Sequence, residues 1–249
     1  MTASDDTDRA TRTPAIAWQE MSRGNERFVA GEPLHPRQDV ERRTEVVAGQ
    51  KPIAALFGCS DSRLSAEIIF DKGIGDLFVI RNAGQVISES VVGSLEYAVA
   101  VLHVPLLIVL GHDSCGAVLA AIDSQTAGAT LLPPHIANLI SRIVPAVRRV
   151  GARDGAFNSQ GEIDPDKIDS RDVGREHLRD TIAELLEESE VISDAIAAGT
   201  LAIVGANYSL SVGRAEPDVV VGTVTSTGTG TGTGSAAHAH ASSNQHTSD

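Results

Sequence analysis

The chain has 249 residues, 42% of them hydrophobic, with 33 acidic against 20 basic side chains and a net charge of −13. That length and apolar fraction suit a single domain with appendages and exclude disorder throughout, while no apolar run approaches the roughly 20 residues of a membrane-spanning helix. An acidic chain with only three lysines, Lys51, Lys72 and Lys167, argues against nucleic acid or an anionic membrane as partner, because phosphate binding needs clustered basic side chains.

Residues 1–14 are polar and aperiodic and read as a flexible N-terminal arm. They open on MTASDDTDRA, with acids where a secretory signal carries a basic and then an apolar region, so a cytoplasmic protein is expected. AIAWQEMSRGNERFVAG then spaces Ile16, Trp18, Met21, Phe28 and Val29 as a helix that stops at Gly31. Its apolar face has no obvious partner within the chain and is read as a surface for assembly. PIAALFG (52–58), DLFVIR (76–81), PLLIVLG (from 105) and LAIVGANYSL (201–210) are short apolar runs of the kind that form buried parallel strands. SAEIIFDKG, ESVVGSLEYAVAVLH and the Ala-rich segment after Cys115 supply crossover helices. The expected fold is therefore α/β, a central, mainly parallel sheet flanked by helices, with a domain over 15–224.

Four further segments complete the chain. HIANLISRIVPAVRRV (135–150) reads as a helix kinked at proline, GAFNSQGEIDPDKIDS as a polar surface insertion, and about 172–198 as one long amphipathic helix carrying Leu178, Ile182, Leu185, Leu186 and Ile192. Residues 225–249, TSTGTGTGTGSAAHAHASSNQHTSD, have no apolar content to bury and read as a disordered tail. Its His238, His240 and His246 are solvated side chains on this reading.

The chemistry concentrates at two strand ends. Cys59 opens CSDSR directly after one predicted strand, and Cys115 closes GHDSC after another, with His112 three residues before it. Two cysteines are too few to staple a chain of this size, so local chemistry is their better use. In an open parallel sheet, sites form beyond the carboxyl ends of strands, so neighbouring strands would bring Cys59, His112 and Cys115 together. Two thiolates and an imidazole suit Zn²⁺, and three protein ligands leave a position for catalysis. Cys115 is placed in the first turn of a helix, whose dipole favours the thiolate. Asp61 is either a fourth ligand that closes the site or an acceptor beside it, and Arg63, able to hold a carboxylate bidentately, favours the second role.

CSDSR, followed by GHDSCG with its histidine 53 positions after Cys59, resembles the β-class carbonic anhydrases, in their plant-like branch. The likeness extends through GQKP, DLFVIRNAG and SLEYAVAVLHVPLLIVLGHDSCGAV, and covers about residues 15 to 212. It implies a dimeric or tetrameric enzyme that binds zinc through Cys59, His112 and Cys115 and interconverts carbon dioxide and bicarbonate, the metal turning water into hydroxide near neutral pH. It implies Asp61 and Arg63 as a catalytic dyad, with Asp61 as fourth ligand in a closed state, and Gln50, Phe78, Gly84 and Tyr97 as a substrate pocket built between subunits. Gln85 and Ala83 depart from residues common in the family at those positions. A hydrolase of carbon disulfide or carbonyl sulfide, or a non-catalytic zinc-stabilised binding module, would use the same ligands. A phosphatase would not, because Cys59 to Arg63 is too short a loop to cradle a phosphate.

Overall fold

The computed structural model describes residues 12–225. Helix α1 (Pro14–Ala30) is capped by the Thr13 hydroxyl, which accepts from the Ile16 amide, and ends at Gly31 in the left-handed conformation. Strands β1 (Ala54–Cys59), β2 (Leu77–Asn82), β3 (Leu106–His112), β4 (Ala202–Tyr208) and β5 (Ala215–Val221) form one sheet in the order β2-β1-β3-β4-β5. The first four are mutually parallel, as the apolar runs predict, and β5 runs antiparallel to β4. Sequence patterning missed β5: AEPDVVV carries Pro217, the exposed Glu216 and the half-buried Asp218, which suit an edge strand but break the apolar signature of a buried one.

The central strands are buried on both faces, and their alternation divides the core. Ala55, Phe57, Leu107, Val109 and Ile203 pack against helices α4 (Glu89–Glu96), α8 (Ser170–Glu188) and α9 (Glu190–Ala197). Leu56, Ile108, Leu110, Val204 and Ala206 pack on the other face with Met21 of α1, and with Ile69 and Phe70 at the end of the one-turn helix α3 (Ala66–Ile69). The α1 face thus covers its own sheet, which corrects its reading as unpartnered. The approach is close enough that a Cβ on Gly24 would lie 1.9 Å from the Phe70 carbonyl oxygen. Beside it Asn25 donates to the carbonyls of Ile69 and Gly213 and accepts from the Ala215 amide.

Several helices differ from expectation for local reasons. The 65–73 crossover forms one turn only, and α4 continues as a wider π-helical turn over Tyr97–Val101. Pro145 starts a helix instead of kinking one: α6 (Pro134–Ser141) ends, and α7 (Val144–Asp154) begins with the proline in its first turn, where no amide hydrogen is required. The long helix expected over 172–198 breaks at Ser189, which is extended and caps α9 by accepting from the Ile192 amide. The 155–170 insertion is polar at its surface only. Its Ala156, Ile163 and Ile168 are buried in a third cluster with Cys59, Cys115 and helix α5 (Gly116–Asp123). A short helix α2 (Val40–Glu45), capped by Asp39, was not foreseen.

The arm and the tail lie outside the described residues except at 12–14 and 225. There, the Arg12 guanidinium donates to the Lys51 carbonyl, and Pro14 already belongs to α1. No helix among the described residues is long and apolar enough to cross a membrane.

Candidate metal centre

Strand β1 is followed in the chain by its neighbour on one side, β2, and flanked on the other by β3, so the crevice between β1 and β3 lies where the sheet order reverses. Cys59 ends β1, His112 ends β3, and Cys115 caps the N-terminus of α5, one residue outside the turn expected to contain it. Their ligand atoms all lie within 4.8 Å of one another and all three residues are buried. The two sulfurs are 4.0 Å apart.

The orientation of His112 is fixed by hydrogen bonding. Its Nδ1 stands 2.9 Å from the Asp113 carbonyl, which can only accept, so Nδ1 carries the proton and Nε2 presents a lone pair. That Nε2 is buried and has no hydrogen-bond partner among the described residues. The Asp113 carboxylate accepts from the Leu210 amide at 3.0 Å and so secures the turn. Cys59 is held as the thiolate, chiefly by a hydrogen bond from the Cys115 thiol, with the amides of Gly84 and Asp61 acting in the same direction. The same partnership and burial push the Cys115 thiol up. A buried pair of sulfurs with an orphaned imidazole nitrogen facing them fits a borderline-soft cation such as zinc.

Asp61 is not in that cluster of ligand atoms. Arg63 holds it: Nε meets Oδ1 at 2.9 Å, Nη2 meets Oδ2 at 2.6 Å, and the Arg63 amide meets Oδ1 at 2.9 Å. The Arg63 guanidinium keeps the Asp61 carboxyl well below the usual carboxylate range. Nη2 of Arg63 also donates to the Ser114 carbonyl, joining the two ligand-bearing loops. Arg81, which sequence reasoning did not single out, fixes the same loop from β2 by donating to the carbonyls of Cys59 at 2.9 Å and Asp61 at 2.6 Å.

The other sequence candidates divide. Gly84 stands at the cluster, its amide 3.4 Å from the Cys59 sulfur. Phe78 and Tyr97 meet each other, with ring centroids 6.0 Å apart. They lie away from the cluster within this chain: Phe78 is in register with Ala55, whereas Asn82 is in register with Cys59. Four residues of strand separate those positions, about 13 Å. Gln50 is exposed and Tyr97 is 46% exposed.

A mainly parallel α/β sheet with a buried Cys₂His cluster at its switch point defines one recognisable class of protein with a candidate metal site, and comparison with known proteins places it further. The carbonic anhydrase family profile matches residues 54–215. Carbonic anhydrase 2 of Mycobacterium tuberculosis is 50% identical over 202 residues, 81% of this chain and 91% of that protein. The carbonic anhydrase of Mycolicibacterium smegmatis is 44% identical over 207 residues, 82% of this chain and 92% of that one. Among solved structures, a tetrameric β-carbonic anhydrase of Sordaria macrospora matches with a TM-score of 0.60 and 22% identity, over 70% of this chain and 84% of its own. The Coccomyxa β-carbonic anhydrase matches with a TM-score of 0.57 and 24% identity, over 70% and 75%. This chain belongs to the carbonic anhydrase family, in its β class.

Proposed function

We propose that the protein catalyses the reversible hydration of carbon dioxide to bicarbonate and a proton, with Zn²⁺ held by Cys59, His112 and Cys115. The observation that carries this reading is the buried His112 Nε2, without a hydrogen-bond partner among the described residues, facing two sulfurs 4.0 Å apart, next to a carboxylate held by Arg63. Zinc bound there would supply the Lewis acidity that makes water a nucleophile near neutral pH.

The remaining work falls to the chain. Oδ1 of Asp61 accepts two hydrogen bonds from Arg63 and Oδ2 accepts one, so Oδ2 keeps a lone pair. An ionised carboxylate only accepts, and Oδ2 therefore accepts a hydrogen bond from the attacking oxygen and aims its lone pair at the substrate carbon. Arg63, by holding both carboxylate oxygens, would keep Asp61 from ligating a metal held by Cys59, His112 and Cys115. Gln50 donates to a substrate oxygen, and Phe78 and Tyr97 provide an apolar wall for an uncharged gas. Since Phe78 and Tyr97 lie away from the cluster in their own chain, and Gln50 precedes the end of β1 opposite Cys59, all three serve the site of a second copy, and the working unit is a dimer or an assembly of dimers. The two free, buried thiols suit a reducing compartment, the cytoplasm.

Carbon dioxide hydration followed by a pH indicator, on protein whose zinc content is measured in parallel, tests the reading. Hydration in proportion to bound zinc is expected, and zinc-loaded protein without hydration above the buffer rate would overturn it.

A further inference from the structure

Helix α8 reaches the metal centre from behind. His177, 3% exposed, places Nε2 2.7 Å from the carbonyl of Gly84, the residue whose amide faces the Cys59 sulfur. A carbonyl only accepts, so Nε2 carries the proton. Nδ1 is then an unprotonated nitrogen, and it is buried without a hydrogen-bond partner among the described residues. Burial also holds the imidazole in its neutral form, below its ordinary pKa.

One turn further along α8, the Thr181 hydroxyl donates to the carbonyls of His177 and Gln85. The loop so held is under constraint: Gly84 has φ +79°, and a Cβ there would stand 2.8 Å from the Ala117 Cβ. Gln85 has φ +41°, a conformation that side chains other than glycine rarely adopt. Asn82 closes the loop from its other side, donating to the Val86 carbonyl and accepting from the Val86 amide. A strained loop clamped on three sides presents a single amide to a single metal-ligand sulfur.

We infer that His177 is a positioning residue of the metal centre, fixing the Gly84 amide as a hydrogen-bond donor to the Cys59 thiolate and so limiting the charge that this sulfur donates to the metal. The inference rests on the metal-centre reading above. The carbonyl that His177 holds and the amide that meets the sulfur belong to different peptide groups, so the effect works by orientation. Loss of the donor raises the energy of the sulfur lone pair and leaves the ligand less firmly oriented.

The test uses the full chain with cobalt(II) in place of zinc. Wild type should take up one cobalt per chain and show a thiolate-to-cobalt absorption band. If it binds no cobalt or zinc, the metal-centre reading itself fails, and this inference with it. In His177→Phe the band should move to longer wavelength and a chelator should remove the metal about tenfold more readily. His177→Gln, which can return a donor near the Nε2 position, should restore both. A folded, cobalt-loaded His177→Phe protein with an unchanged band would overturn the inference. Native protein gives a second reading that needs no variant: with cadmium-113 in the site, the Gly84 amide proton should couple to cadmium through the N–H···S bond. Absence of that coupling in cadmium-loaded protein would equally overturn it.

Discussion

Arg63 engages both carboxylate oxygens of Asp61, through Nε on Oδ1 at 2.9 Å and Nη2 on Oδ2 at 2.6 Å, and its backbone amide adds a third bond. The fork geometry matters more than the charge, because only a guanidinium spans both oxygens at once. Arg63→Lys and Arg63→Ala should therefore keep the metal and lower turnover, by about 10- to 100-fold, with X-ray absorption showing a carboxylate oxygen newly on the metal. Asp61→Asn should lower turnover without that new ligand. Wild-type turnover in Arg63→Ala would reduce the pair to an ion pair without catalytic weight.

Removing a ligand is a different lesion. Cys59→Ser, His112→Ala and Cys115→Ser should each lose metal and activity together, because each removes one of three donors that lie within 4.8 Å of one another. Atomic absorption on the purified variants decides it. Stoichiometric metal in Cys115→Ser would remove that residue from the coordination sphere.

The contact between Phe78 and Tyr97, remote from Cys59 in its own chain, bears on assembly. If it forms part of a neighbour's pocket, the smallest active species is a dimer. Specific activity should then fall on dilution in step with the light-scattering mass, and Tyr97→Ala should lower activity with full metal content. A fully active monomer would contradict the shared pocket.

Ile163 tests whether the insertion belongs to the domain. It is 2% exposed and shares a cluster with Cys59 and Cys115, so Ile163→Ala should destabilise the fold by about 2–5 kcal/mol in denaturant titration. A solvated insertion would give a change within about 0.5 kcal/mol.

Stability should depend on pH in two steps of the same sign. Burial lowers the His177 pKa below its ordinary 6.5, so between the folded and unfolded values the unfolded chain binds the extra proton. The His177 contribution is present above about pH 6.5 and is lost as pH falls through the folded value. Burial opposes ionisation of Asp71, but the Leu34 and His35 amides and Arg27 outweigh it and lower its pKa. Its contribution is present above about pH 4 and is lost below. Thermal melts from pH 8 to pH 3 should show both declines, and His177→Gln should remove the first alone. An unchanged first decline in that variant would assign it elsewhere.

Much of the metal centre was legible because its residues sit beside strong local signals. Cys59 and His112 follow continuous apolar runs that can only be buried strands, and the parallel sheet then brings their ends together. Arg81 and His177 were not legible. Arg81 looks like a strand-end basic residue, and its task is to bind carbonyls 20 and 22 residues away in sequence. His177 lies 93 residues from Gly84 in an amphipathic helix, where nothing in the spacing distinguishes it from an ordinary buried position. The helix break at Ser189 and the edge strand β5 escaped for a related reason. Each depends on a tertiary partner, Glu96 for the Ser189 hydroxyl and β4 for the strand.

On the function proposed, metal at Cys59, His112 and Cys115 drives carbon dioxide hydration with Asp61 and Arg63 as partners. Stopped-flow hydration across pH on wild type titrated from metal-free to one zinc per chain tests it most directly. The rate should rise linearly with zinc up to one equivalent and then stay flat, and should grow toward alkaline pH because two thiolates would make zinc-bound water less acidic than three imidazoles would. A rate independent of zinc, or no hydration at one zinc per chain, would contradict it.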